Sequence, residues 1–226
     1  MSSSTTNPII APLRIHTLLL RLHHESLTQE TLLRSRYTKN DAADFDTIVR
    51  DAFIALDQEK CQFIYQISRA TAARNIVEVG TSFGVSTIYL ALAVARNLEI
   101  VGGEGRVIAT EKESGKAEKA RAYWREAGEE CVSRYIELRE GDLLETLKRD
   151  LPVIDLVLLD IWTPVALPAL KILEPRTRKG AVVIVDNIVD SAEGYADLLD
   201  HLMEPANGYT NLTLPYDKGL QMSIKF

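Results

Sequence analysis

Apolar residues at three- and four-residue spacings dominate the first quarter of the chain. "PLRIHTLLLRLHHES" and "DTIVRDAFIAL" read as helices joined by the polar stretch "TKNDAADFD", so residues 12–56 form a helical segment ahead of the main core. A further helix, "DQEKCQFIYQISRATAA", runs into the first strand, and helix and strand patterns alternate from there. Strands are expected at 76–79, 107–110, 135–138, 154–159 and 181–185. Most are short apolar runs rather than in–out alternations, as required where helices cover both faces of a parallel sheet. The tail "YTNLTLPYDKGLQMSIKF" breaks the alternation: two strand-like runs around "PYDKG" predict a closing antiparallel hairpin. The fold class is therefore α/β and doubly wound, a mostly parallel seven-stranded sheet with an antiparallel C-terminal hairpin and extra N-terminal helices.

Composition narrows the partner more than the fold. A chain of 226 residues with 46% hydrophobic and 26% charged residues can bury one sizeable core. Residues 1–11 are expected to be a mobile tail and 12–226 a single domain. A net charge of -6 and a pI near 5.3 argue against a nucleic-acid or anionic-membrane surface, which needs a basic stripe, and favour a small-molecule partner. Cys61 and Cys131 have neither metal-type spacing nor the density of a disulfide framework, which fits a reducing, cytoplasmic setting. No run approaches the roughly 18 apolar residues of a membrane span.

The chemistry-bearing residues fall at expected strand ends. After the first strand the chain reads "VEVGTSFGVS", with Gly80 and Gly84 four apart at the start of an apolar helix. Glycine permits a sharp turn and close ligand approach, and the helix N-terminus offers free N–H groups and partial positive charge for a carboxylate or phosphate. The alternative is a tight turn shaped for its own sake. The spacing departs from the G-x-G-x-x-G of dinucleotide sites, so a nicotinamide cofactor is disfavoured. Glu111 ends the second strand, where an acid can accept both hydroxyls of a ribose. Asp142 follows the third, placed to receive an adenine amino group. A Gly turn, an acid and a Gly-Asp pair on consecutive strands suggest a nucleoside with a charged tail.

"VEVGTSFGVSTIYLA", "VIATEKE", "LREGD", "IDLVLLDIW", "GAVVIVDN" and "LPYDKGLQMSIK" together resemble the class I S-adenosylmethionine-dependent O-methyltransferases, specifically the small catechol and caffeoyl-CoA group. The resemblance runs from about Pro12 to Phe226 and implies a Rossmann-like methyltransferase fold. It implies that Glu78, Gly80 and Ser86 surround the methionine portion, with Ser86 near its carboxylate, and that Glu111 holds the ribose and Asp142 the adenine. Gly84, Lys112 and Asp160 complete the candidate cofactor set, and Asp160 and Trp162 are the candidate catalytic residues. It also implies that the N-terminal helices fold over the acceptor pocket and that the protein is a homodimer.

Asp160, Asp186 and Asn187 end two further strands as hard oxygen donors suited to Mg²⁺ or another divalent cation, and they are the metal positions of similar cation-dependent enzymes. Turn chemistry is the competing explanation for the Asp-Asn pair. Asp190 and Glu193 read instead as a capping box for the last helix. The expected activity is O-methylation of a small, oxygen-rich, catechol-like molecule with metal assistance. One feature departs from the family: D-x-x-K-x-x-Y reads "DIWTPVALP" here, with Thr163 at the position of the basic lysine and Ala166 at that of the tyrosine. Losing a general base typically costs about 10²- to 10⁴-fold. A metal-independent transferase acting on another nucleophile, or a silent binding domain, are therefore alternatives. His16, His23 and His24 are substitutes for the base or packing residues, and Trp162 is either a wall of the site or core. Trp124, sharing a helical face with Ala117, Ala120 and Ala127, is assigned to packing.

Overall fold

The computed structural model describes residues 6–36 and 52–226. Its elements are α1 (Leu13–Arg36), α2 (Gln58–Ala70), β1 (Asn75–Val79), α3 (Val85–Val101), β2 (Arg106–Glu111), α4 (Ser114–Ala127), β3 (Ile136–Glu140), a single turn α5 (Leu143–Thr146), β4 (Ile154–Leu159), α6 (Thr163–Leu173), β5 (Thr177–Asp186), α7 (Ala196–Met203), β6 (Tyr209–Leu214) and β7 (Leu220–Lys225). The sheet has seven strands in the order β3-β2-β1-β4-β5-β7-β6. Strands β1 to β5 are parallel, β7 runs antiparallel to β5, and β6 pairs antiparallel with β7, so the expected hairpin closes the sheet. Strand order reverses between β1 and β4, which places the natural ligand crevice outside their carboxyl ends.

Alternation along the strands sorts the side chains into two cores. Ile76, Val107, Ala109, Leu156, Leu158, Val182 and Ile184 pack with α1 to α4 on one face. Val77, Val79, Ile108, Val157, Leu159, Val183 and Val185 pack with α6 and α7 on the other. This period of two has a consequence at the strand tips. Glu78 in β1 and Asp186 in β5 share parity with the first set and face the same layer as α2.

The N-terminal expectation needs correction. Residues 46–51 of the expected second helix, and the linker 38–46, lie outside the described residues. Residues 53–57 form neither helix nor strand. Their backbone finds partners on α1 instead: Gln29 Oε1 accepts from Phe53 N at 2.9 Å, Ser26 Oγ accepts from Ala55 N at 2.8 Å and donates to Phe53 O at 3.1 Å. With these groups satisfied, a helix is not needed to pair them. Of the expected tail, residues 6–11 form no helix or strand, and Ile9 is buried in the core. No helix among the described residues is long and apolar enough to cross a membrane.

Candidate active site

The bend after β1 lies at the switch point and is stitched to both neighbouring strands. Gly80 N donates to Thr110 Oγ1 at 3.1 Å, Thr81 N to Thr110 O at 2.9 Å, and Asp160 N to Val79 O at 3.0 Å. Gly80 and Gly84 both adopt positive φ, +96° and +75°, which glycine tolerates without strain. The space a β-carbon would need is taken by protein, not left for a ligand. At Gly80 it would stand 2.0 Å from the Asp160 carbonyl oxygen, and at Gly84 2.5 Å from the Trp124 indole nitrogen. Trp124, buried on α4 with Ala117, Ala120 and Ala127, donates from Nε1 to Gly84 O at 2.9 Å. Helix α3 then starts at Val85 with no side-chain cap, so the N–H groups of its first turn are not claimed by a capping residue.

Two acids, Glu111 and Glu78, hold this bend, and a third, Asp142, lies just past the tip of β3. The Glu111 carboxylate at the tip of β2 accepts from Ser82 N through one oxygen and from Glu113 N through the other, both at 2.8 Å. Fixed in this way, it keeps lone pairs for further donors, because a carboxylate has about four acceptor sites. Asp142 is exposed and accepts from Leu144 N at 2.9 Å as the cap of α5, using one oxygen. Lys112 is exposed beside Glu111. Glu78 is fully buried and accepts from Thr81 Oγ1 at 2.8 Å, Ser86 Oγ at 2.6 Å and Thr87 Oγ1 at 2.5 Å. Burial pushes its pKa from 4.5 up to about 7, with the three hydroxyls working in the opposite direction. Ser86 is thus bonded to Glu78, a partnership that sequence alone did not suggest.

A narrow cleft lies between this bend and residues 53–56, lined by Phe53, Leu56, Thr81, Phe83, Ser86 and Asp160. Its interior volume of about 10 Å³, room for about one water molecule, is far below the roughly 300 Å³ at which small-molecule sites usually start. The roof is Phe53, tilted against Phe83 with ring centroids 4.5 Å apart, and α1 braces it through Ser26 and Gln29.

The expected metal donors are arranged differently. Asp160 follows β4, and burial, then the charges of Asp186 and Glu78, raise its pKa to about 8. Asp186, 4% exposed, accepts from the ammonium of Lys60 at 2.6 Å, and Lys60 also contacts Asp57 Oδ2 at 3.3 Å. Burial works against both charges of this pair. For Lys60 the contacts with Asp186 and Asp57 win, and its pKa is raised; for Asp186 burial wins, and its pKa is pushed up. Asn187 turns the chain at φ +58°, its carbonyl accepting from Ser191 N at 3.0 Å. A divalent ion sharing the Lys60-bound oxygen at about 2.1 Å would lie within roughly 4.7 Å of the ammonium. The repulsion is on the order of 7 kcal/mol at an effective dielectric near 20. The donor set as arranged does not fit a divalent cation, and no group of three or more His, Cys, Asp or Glu side chains among the described residues could hold one.

Lys60 was not among the residues singled out from sequence, although a signal was present. Lys60, Cys61, Ile64, Tyr65 and Ser68 are the buried residues of α2, so the lysine lies on the apolar stripe where a charge needs a partner. Trp162, 53% exposed at the start of α6, is not core. His23 is core: buried against Tyr89 with Nε2 and the hydroxyl 2.9 Å apart, it is pushed by burial down to about 4. His16 lies 3.1 Å from the Asn7 amide, and His24 is exposed. Asp190 caps no helix. Residues 189–195 form turns, and α7 starts only at Ala196, after Tyr195 has anchored its hydroxyl on Ile161 O at 2.7 Å.

The family model for a methyltransferase domain matches residues 77–188, from β1 through the end of β5. Over this span, just under half of its length, the chain is similar to the methyltransferase-domain family. A catechol O-methyltransferase of Mycobacterium tuberculosis (strain ATCC 25618 / H37Rv) is 31% identical over 141 residues, 60% of this chain and 58% of that protein. The match thus spans under two thirds of that relative's length. Among solved structures, this chain resembles an O-methyltransferase of Streptomyces achromogenes involved in tomaymycin synthesis, in complex with S-adenosylmethionine. The TM-score is 0.64 and the identity 22%, covering 90% of this chain and 98% of that one. A methyltransferase of Podospora anserina bound to S-adenosylhomocysteine has a TM-score of 0.68 at 15% identity, covering 92% and 88%. At these identities the structures speak for the Rossmann-like methyltransferase fold.

Proposed function

We propose that this chain transfers a methyl group from S-adenosylmethionine to an oxygen of a small, oxygen-rich, catechol-like acceptor. The observation that carries the reading is the Glu111 carboxylate, fixed by Ser82 N and Glu113 N at the mouth of the uncapped α3 N-terminus, beside the β1–β4 switch point. Carboxylate and helix end together suit a nucleoside whose tail carries a carboxylate. When bound, S-adenosylmethionine supplies an electrophilic methyl on a positively charged sulfur. In this reading Glu111 receives the two ribose hydroxyls, Asp142 uses its uncapped oxygen for the adenine amino group, and the first turn of α3 takes the amino-acid carboxylate. Glu78 acts on the bend itself, tying Thr81, Ser86 and Thr87 into one network. Asp160 stands beside the bend, where an arriving sulfonium would favour its ionised form, and Phe53, Leu56 and Phe83 keep water from the reacting atoms. Excluding water and aligning the pair can supply several kcal/mol, on the order of 7 at the low end. The catechol relative supports the acceptor class.

The test is incubation with isotopically labelled S-adenosylmethionine and a panel of catechols, other phenols and hydroxy acids, read by mass spectrometry. Transfer of the labelled methyl to a vicinal diphenol is expected. A panel on which no oxygen gains the label, with the donor shown to bind, would overturn the assignment.

A further inference from the structure

The carboxylate that ends β5 already has a cation, and the chain supplies it. Lys60 is 1% exposed, and its stem lies in the stripe that α2 presents to the sheet. Its ammonium reaches Asp186 at 2.6 Å and Asp57 at 3.3 Å, so two of its three N–H donors go to carboxylates on different elements. The placement follows from strand parity: Asp186 faces the layer to which α2 belongs, and Lys60 is the buried cation of that helix. A surface lysine could swing away from an arriving metal ion; this one is enclosed.

We propose that the ammonium of Lys60 replaces a divalent cation at the tips of β4 and β5, neutralising Asp186, excluding Mg²⁺ and Mn²⁺, and making the protein metal-independent. Thr163 fits the same picture. The family's lysine position at the start of α6 carries no positive charge here, and the cation comes from α2, on the other side of the sheet tip. Metal exclusion stands on these contacts alone, whereas its meaning for catalysis rests on the methyl-transfer reading.

The experiment uses Mn²⁺ as the probe on the full chain, by titration calorimetry and by the electron paramagnetic resonance signal of free Mn²⁺. Wild type is expected to take up no Mn²⁺ at millimolar concentration, and its melting temperature to be the same in Mg²⁺ and in chelator. Lys60→Ala is expected to gain Mn²⁺ binding at least tenfold tighter than wild type, and Lys60→Ala combined with Asp186→Asn to lose it. Lys60→Gln, which keeps a donor for Asp186 without the charge, provides the same reading should the alanine variant fail to fold. Mn²⁺ binding by wild type that Asp186→Asn abolishes, a Mg²⁺-dependent rise in wild-type melting temperature, or the absence of any gain in folded Lys60 variants would overturn the proposal. S-adenosylhomocysteine binding, measured in parallel, reports on the methyl-transfer reading separately, because loss of that ligand would leave the metal result unchanged.

Discussion

Glu78→Gln should change how stability depends on pH, in a calculable direction. Glu78 is fully buried, and its folded-state pKa rises from 4.5 to about 7 because desolvation outweighs three hydroxyl donors. Between those values the folded protein holds a proton that the unfolded chain releases, so stability falls as pH rises through the window. The stabilising contribution is fully present below pH 4.5 and gone above about 7. At 1.36 kcal/mol per pH unit the loss is about 3 kcal/mol. Glutamine keeps an acceptor for the hydroxyls but cannot ionise, so Glu78→Gln should lack this slope. Urea denaturation at half-unit intervals from pH 4 to 8 provides the assay. The variant should gain about 3 kcal/mol relative to wild type across the window. Asp160, pushed up to about 8, titrates in both proteins and largely drops out of the difference. A stability difference constant across this range would refute the reasoning and show that the three hydroxyls hold Glu78 ionised at its ordinary pKa.

Gly80→Ala places a β-carbon 2.0 Å from the Asp160 carbonyl at φ +96°, and a loss of at least about 2 kcal/mol is expected in thermal or urea unfolding. Trp124→Phe removes the bond to Gly84 O and should cost about 1 kcal/mol by the same assay, with looser ligand binding as the bend relaxes. Glu111→Gln deprives either Ser82 N or Glu113 N of its acceptor and weakens the ribose contact. Calorimetry should show S-adenosylhomocysteine affinity falling about 10- to 100-fold.

The central strands were legible because parallel strands covered on both faces must be apolar runs: β4 matches its expected span of 154–159, and β1 differs by one residue. The start of β5 was not. "TRKG" is polar, and its pairing depends on Arg178 meeting Asp155 at 2.6 Å, a contact between distant parts of the chain. The helix expected across residues 52–56 failed for a similar reason, since Ser26 and Gln29 satisfy its backbone from α1. At the site, strand ends could be read as positions, and Gly80, Glu111 and Asp160 do converge on the bend. Partners could not be read. The glycines answer to Asp160 and Trp124, Ser86 answers to Glu78, and Lys60 meets an aspartate 126 positions away. Local pattern specifies which residues reach a strand tip, but pairing across the tip is decided by tertiary packing.

The most direct test of the account is titration of the wild-type chain with S-adenosylhomocysteine, alongside Glu111→Gln, in chelator. One saturable site is expected in wild type, with affinity clearly reduced in the variant. No measurable association by the folded protein, or equal affinity in both, would contradict a nucleoside site at the Gly80 bend.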